Sequence, residues 1–227
     1  MINLGQFLGV VSPDSLIAQE CHTHFSQGGE DIAIDNLLRG ENSRGVFVDI
    51  GAYHPVRFSN TFALYLQGWR GINVDGNHDA IEIFKSVRPE DINIHALVSD
   101  QVETKEFYRF KEGAWNSTNQ EAVEILRARG QDQGTLIGTD RMETVPIMRI
   151  LEQHVGNKKF DLLTVDVEGL DIQIIRSIDF SRYRPKVIAA EIGIMEWIEE
   201  PFQAFIRDIG YEFYAQCMHT LILRRKN

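Results

Sequence analysis

Gly45-Val46-Phe47-Val48-Asp49-Ile50-Gly51-Ala52-Tyr53-His54-Pro55 decides the fold. Residues able to fill a buried strand run into an acid, then a glycine, then a loop closed by proline. Short apolar runs that stop abruptly at Gly and Pro read as central strands of a parallel sheet. In an open α/β sheet, ligands sit just past the carboxyl ends of such strands. Asp49 and Gly51 are therefore expected at the edge of a cleft. Gly51 lacks a Cβ, so the backbone can turn sharply and admit a close approach.

The same grammar recurs downstream. Gly71-Ile72-Asn73-Val74-Asp75-Gly76 is a second strand ending on an acid, and Ile92 to Val98 a third. Phe160 to Gly169 and Lys186 to Gly193 are the fourth and fifth main strands, and both close on acids and a glycine. Helical stretches fall between them: Ser59 or Asn60 through Leu66, Ala80 to Val87, the run begun near Pro146, Ile172 to Ile178, and Phe202 to Ile209. Lys105 to Phe110 adds a further antiparallel strand. Tyr211 to Gln216 and His219 to Leu223 make a closing hairpin. Alternating strands and helices with a terminal hairpin predict an α/β, doubly wound parallel sheet with one antiparallel strand. Residues 111–140 are the least regular, as lids and binding loops are.

At 227 residues, one domain is expected over 1–227: an N-terminal cap in 1–40 and a catalytic core in 41–227. Met1 to Gln19 reads as a lid or an oligomer contact, so a homo-oligomer is one expected partner state. The net charge of −10 argues against nucleic acid as a partner, which needs a basic footprint. Cys21 and Cys217 form no CxxC and have no His at metal-ligand spacing, so both read as idle thiols. No apolar run approaches the roughly 18 residues of a membrane span. The N-terminus lacks a basic signal-peptide region, so a cytoplasmic protein is expected.

Several residues carry candidate chemistry. Ser26 can cap a helix whose first turn holds Glu30 and Asp31. The helix opening at Ser59 and Asn60 presents free N–H groups to an anionic end of a ligand. Asp75, 26 residues after Asp49, is placed to accept hydrogen bonds from ribose hydroxyls; a helix cap is the bland alternative. The segment Asp49-Ile50-Gly51-Ala52-Tyr53-His54 lacks the GxGxxG spacing of nicotinamide dehydrogenases.

Taken together, Ser26-Gln27-Gly28-Gly29-Glu30-Asp31, Phe47-Val48-Asp49-Ile50-Gly51-Ala52, Asp166-Val167-Glu168-Gly169 and the strand-ending Glu191 resemble the FkbM-type S-adenosylmethionine-dependent methyltransferases. His54 to Thr61 and Gly68 to Asp75 resemble one bacterial branch of that family. The resemblance implies a class I methyltransferase, Rossmann-like fold with strand order 3-2-1-4-5-7-6. It implies S-adenosylmethionine as cofactor and methyl transfer to a hydroxyl of a sugar, nucleotide-sugar or glycan precursor. Lipid, polyketide or amine acceptors, or a non-catalytic cofactor-binding domain, are the alternatives. Asp49, Gly51, Ala52 and Tyr53 would line the cofactor, with Ser59 and Asn60 beside them. Asp75 and Gly76 would meet the ribose, Ala96 and Leu97 the adenine. Gln27, Gly28 and Glu30 would approach from the N-terminal cap. The commoner first loop has another glycine where this chain has Tyr53-His54-Pro55, which makes the loop stiffer here.

A sugar hydroxyl needs a base or a metal ion to become a nucleophile. Asp166, Glu168 and Glu191, at the tips of adjacent strands, are the expected catalytic acids, and Asp166 also adjoins the cofactor. Three neighbouring acids repel unless a proton or cation is shared. One reading therefore places Mg2+ on Asp166 and Glu191. In others, Asp166 is a lone base and Glu168 caps the following helix, or Glu168 binds cofactor. His54 is a further candidate base or ligand. Arg57 could meet a substrate phosphate, Trp115 could stack on a sugar face, and His219 could reach the acceptor.

Overall fold

The computed structural model describes residues 24–39, 44–129 and 134–226. The lid or contact segment expected in 1–19, and Cys21, lie outside them. The chain opens with α1 (Glu30–Leu38), β1 (Val46–Ile50), α2 (Phe62–Leu66), β2 (Arg70–Asp75) and α3 (His78–Val87). Next come β3 (Ile92–His95), β4 (Leu97–Ser99), β5 (Thr104–Phe110), a 3-10 turn at Gly113–Trp115 and α4 (Gln120–Arg129). Then follow β6 (Leu136–Pro146), α5 (Ile147–Ile150) running into a π-turn at Leu151–Val155, β7 (Leu162–Val165) and α6 (Asp171–Arg176). The last elements are β8 (Val187–Glu191), α7 (Ile194–Trp197), α8 (Glu200–Asp208), β9 (Tyr211–Cys217) and β10 (Thr220–Arg225).

Seven strands form the main sheet in the order β3-β2-β1-β7-β8-β10-β9. β3 through β8 run parallel, and β10 is antiparallel to both β8 and β9. Residues along the central strands alternate between two cores, as a period of two requires. Phe47, Leu162, Val187, Ala189 and Ile222 face Ile34 and Leu38 of α1. Val48, Ile50, Leu163, Val165, Ile188 and Ala190 face Ile147, Ile174, Phe202 and Ile206 from α5, α6 and α8. Both faces are covered, which is why these strands read as near-continuous apolar runs.

The expected topology needs amendment in detail. β4, β6 and β5 stand apart as a second, three-stranded sheet. The third strand, expected to run unbroken from Ile92 to Val98, splits at Ala96, whose N–H donates to Asp75 O at 3.0 Å. Beyond it, Leu97, Val98 and Ser99 pair with Thr144, Val145 and Pro146 of β6. β6 itself starts at Leu136, well before the strand expected near Met142. Its alternation is between half-buried and exposed positions, many of them polar, so no apolar stripe marks it. α7 was also not anticipated. Among the described residues, no helix is long and apolar enough to cross a membrane.

Candidate active site

The carboxyl ends of β1, β2, β7 and β8 open onto a cleft of about 650 Å³. The loop at 112–118 and the turn at His219 and Thr220 form part of its wall. Its floor is the loop after β1. Gly51 there has φ of 76°, and a Cβ would run into the carbonyl oxygen of Asp166. Gly51 N–H and Ala52 N–H both donate to Val74 O, at 2.9 and 3.1 Å. The loop is thus held on β2 from one side and pressed on the β7 loop from the other.

Asp75 closes β2 and lines the cleft. Its carboxylate accepts from Tyr53 N–H at 2.8 Å and Asn77 N–H at 2.7 Å. Each oxygen keeps capacity for a further bond. Burial raises its pKa against those two bonds.

Asp49 also lines the cleft, but it is only 4% exposed and each of its oxygens already accepts from a buried hydroxyl. Thr61 Oγ1 donates to it at 2.7 Å and Thr164 Oγ1 at 2.6 Å. Register explains the second bond, since Asp49 pairs directly with Thr164 across β1 and β7. Behind it lies Arg88, fully buried, which donates to Thr61 Oγ1 (2.9 Å), Ser59 Oγ (2.9 Å) and Asn73 Oδ1 (3.2 Å). Ser59 Oγ also accepts from Phe62 N–H at 3.1 Å, although the cap position of α2 is Thr61 and not Ser59 or Asn60 as the sequence suggested. Burial raises Asp49 above the usual carboxylate range and lowers Arg88 to about 10.

A second network spans the cleft's rim. Glu112 accepts from Arg57 Nη2 at 2.8 Å, Arg57 Nη1 at 3.0 Å and Tyr53 Oη at 2.7 Å. The Arg57 bonds hold Glu112 down at about 2, while burial and Glu112 push Tyr53 up to about 12. This latch ties the first loop to the 112–118 loop. The guanidinium expected to await a substrate phosphate is paired with Glu112, 55 residues away.

On the opposite wall, Asp166, Glu168 and Glu191 each offer a carboxylate oxygen, all within 4.8 Å of one another. Burial, then the charges of Glu191, Asp171 and Glu168, hold Asp166 well above the usual range. Its side chain is nonetheless open to the cleft, so the like charges matter beside the burial. Burial and the Glu191 charge push Glu168 to about 8 and Asp171 to about 7. Glu168 does not cap α6: the cap position is Leu170, with no side-chain bond.

Of the other residues singled out from sequence, Gln27, Glu30, Ala52, Asn60, Gly76, Ala96, Leu97, Trp115 and His219 line the cleft. Gly28 and His54 do not. Gly28 N–H donates to Glu30 Oε2 at 2.8 Å, and a Cβ on Gly28 would meet Met218 Cγ at 2.6 Å. His54 Nδ1 accepts from Val56 N–H and Arg57 N–H at 3.1 and 3.0 Å, which makes it a staple of its own loop. Ser26 Oγ donates to Asp31 Oδ1 at 2.7 Å and accepts from Gly29 N–H at 3.1 Å, organising the start of α1 although Gly29 is the cap residue. Sequence reasoning passed over Arg88, Glu112, Thr164, Asp171 and Phe107. The Arg88-Pro89 step read as a helix stop, and nothing local marks its guanidinium as buried.

The family model described as a methyltransferase FkbM domain matches residues 49–213. The chain belongs to that family. Membership implies S-adenosylmethionine as methyl donor. Asp75 with spare acceptor capacity, the close backbone approach at Gly51 and the apolar Ala96, Leu97 and Phe107 walls suit a nucleoside. Two solved structures are similar to this chain. The METTL16 MTase domain (crystal form 2) shares 15% identity at a TM-score of 0.41, over 85% of this chain and 64% of that one. The delta-N METTL16 MTase domain shares 13% at 0.39, over 85% and 78%. The chain thus spans about 64% of the length of the first. No curated protein matches the chain.

Proposed function

We propose that this methyltransferase is an O-methyltransferase acting on a hydroxyl of a sugar, nucleotide-sugar or glycan precursor. The observation that carries the reading is the Asp166, Glu168 and Glu191 cluster, in the same cleft as Asp75 and the glycine loop. Alkylation of an alcohol needs a proton acceptor beside the reacting oxygen. When bound, S-adenosylmethionine supplies an activated methyl group on a positively charged sulfur.

Asp75 would hold the ribose hydroxyls, and Ala96, Leu97 and Phe107 would flank the base. Gln27, Glu30, Trp115, Asn116 and His219 offer a polar, aromatic-edged wall to the acceptor. An Asp166 oxygen takes the proton that the acceptor hydroxyl gives up on methylation. Glu191, whose hydrogen bond and charge help raise Asp166, shares that proton. A carboxylate with raised pKa is the stronger base once ionised. A cationic methyl donor bound beside it would favour that ionised form, because an opposite charge nearby stabilises it.

A divalent ion is the second reading. Three hard oxygen donors within 4.8 Å of one another suit Mg2+, held by Asp166 and Glu191 with Glu168 beside them. It would supply Lewis acidity that lowers the acceptor's pKa.

The test is Asp166→Asn, assayed for methyl transfer to a panel of sugars, nucleotide sugars, amines and lipid alcohols. Turnover should fall at least about a hundredfold, the order expected of a lost general base, with S-adenosylhomocysteine affinity unchanged by calorimetry. Undiminished turnover removes the base, and transfer to amines alone removes the O-methyl reading. Full activity after chelation, without added magnesium, disposes of the ion.

A further inference from the structure

Glu168 is one of four non-glycine residues with positive φ among the described residues, at 55°, and Gly169 follows at 106°. Two successive left-handed residues are sterically costly when the first carries a side chain. Such an outlier persists only where its surroundings over-determine it. Here they do so through one side chain. Asp171 Oδ1 accepts from Val167 N–H at 3.3 Å, and Asp171 Oδ2 accepts from Gly169 N–H at 3.2 Å. These are the two amides that bracket Glu168. Asp171 is 2% exposed, at the first residue of α6.

We propose that Asp171 is a positioning residue, which clamps the Val167–Gly169 turn so that the Glu168 carboxylate stays in the cleft beside Asp166 and Glu191. The proposal rests on the reading of that cluster as the acceptor-side machinery. A charge at the start of a six-residue helix would by itself do no more than complement the helix end. The two bonds to Val167 and Gly169 do something else. They select the left-handed backbone that aims Glu168 inward. A neutral or shorter side chain does not reproduce both bonds: Asn turns an NH2 donor toward one of the two amides, and Ala has no acceptor. With the clamp gone, Glu168 can relax to negative φ, which turns its Cβ away from its present direction.

The test uses the full chain and three variants: Asp171→Asn, Asp171→Ala and Glu168→Gln. Crystal structures of the Asp171 variants should show residue 168 with negative φ, and its side chain displaced from Asp166. If Asp171→Ala does not fold, Asp171→Asn carries the measurement. The kcat of Asp171→Asn should fall on the order of tenfold to a hundredfold, the cost of misplacing a reacting group by about 1 Å. The KM for S-adenosylmethionine should stay within about threefold, because nothing in cofactor binding is removed. In the Glu168→Gln background, Asp171→Asn should cost little more, since two residues acting as a unit are not additive. A φ that stays near 55° in the variants overturns the proposal, as do losses that multiply in the double variant. Wild-type turnover in Glu168→Gln sinks the catalytic reading of Glu168, while the backbone at 168 still decides the clamp.

Discussion

Replacing Arg88 with methionine is expected to remove a large share of the stability margin without removing any side chain that lines the cleft. The guanidinium is fully buried, and it donates to Ser59, Thr61 and Asn73 from beneath the β1 loop. It sits over the Phe62 and Phe84 rings at 5.3 Å each, and 3.9 Å from Asp91. Its lowered pKa says that burying the charge is unfavourable. Removing the whole ionic network for apolar groups could therefore be neutral. Removing one partner is different: Asp49 and Asp91 keep their charges with no buried cation to face, which costs about 3–5 kcal/mol. Against a typical total of about 5–15 kcal/mol, that leaves a marginal fold. A domain of this size loses about 2–4 °C per kcal/mol, so the melting temperature should drop by about 6–20 °C. Differential scanning calorimetry on both proteins at pH 7.5 measures it. Without Arg88, Asp49 is pushed further above its unfolded pKa. An acid raised on folding favours the folded state at low pH, so the deficit should shrink on acidification. A drop of less than about 3 °C refutes the argument, as does a deficit that grows on acidification.

Gly51→Ala should abolish S-adenosylhomocysteine binding and destabilise by about 2–4 kcal/mol, from overpacking plus strain at positive φ; the added methyl meets the Asp166 backbone. Calorimetric titration showing parental affinity would count against the close approach of the two loops. The unliganded protein should lose stability as pH rises from about 4.5 to 8. Glu168 and Asp171, raised to about 8 and 7, hold protons in the folded state that the unfolded chain has released. Melting curves across that range should fall, and Glu168→Gln should flatten them; curves that are flat in the parent contradict the raised pKa values. Glu112, held near 2, has the opposite sign and acts only below about pH 4.5.

The chain's local code was enough for the parallel sheet, the glycine loop and the acids at the strand tips. Each is written in consecutive residues: near-continuous apolar runs, a glycine at the turn, an acid at the end. Alternation could not reveal β6, because apolar Ile137 lies among its exposed positions and polar Asp140 among its half-buried ones. The break at Ala96 depends on where β6 offers a partner, which no local pattern encodes. The site divides in the same way. Asp75, Asp166, Glu168 and Glu191 were legible because strand ends share one edge of a parallel sheet. Tertiary structure alone decided what each side chain meets there. It gave Asp49 to Thr61 and Thr164, Arg57 to Glu112, and His54 to its own loop. It also buried Arg88 beneath the site and set Asp171 to hold the turn at Glu168. Hydrogen-bond partners dozens of residues apart are fixed by packing, and the physical reason is the cost of leaving any buried polar group unpaired.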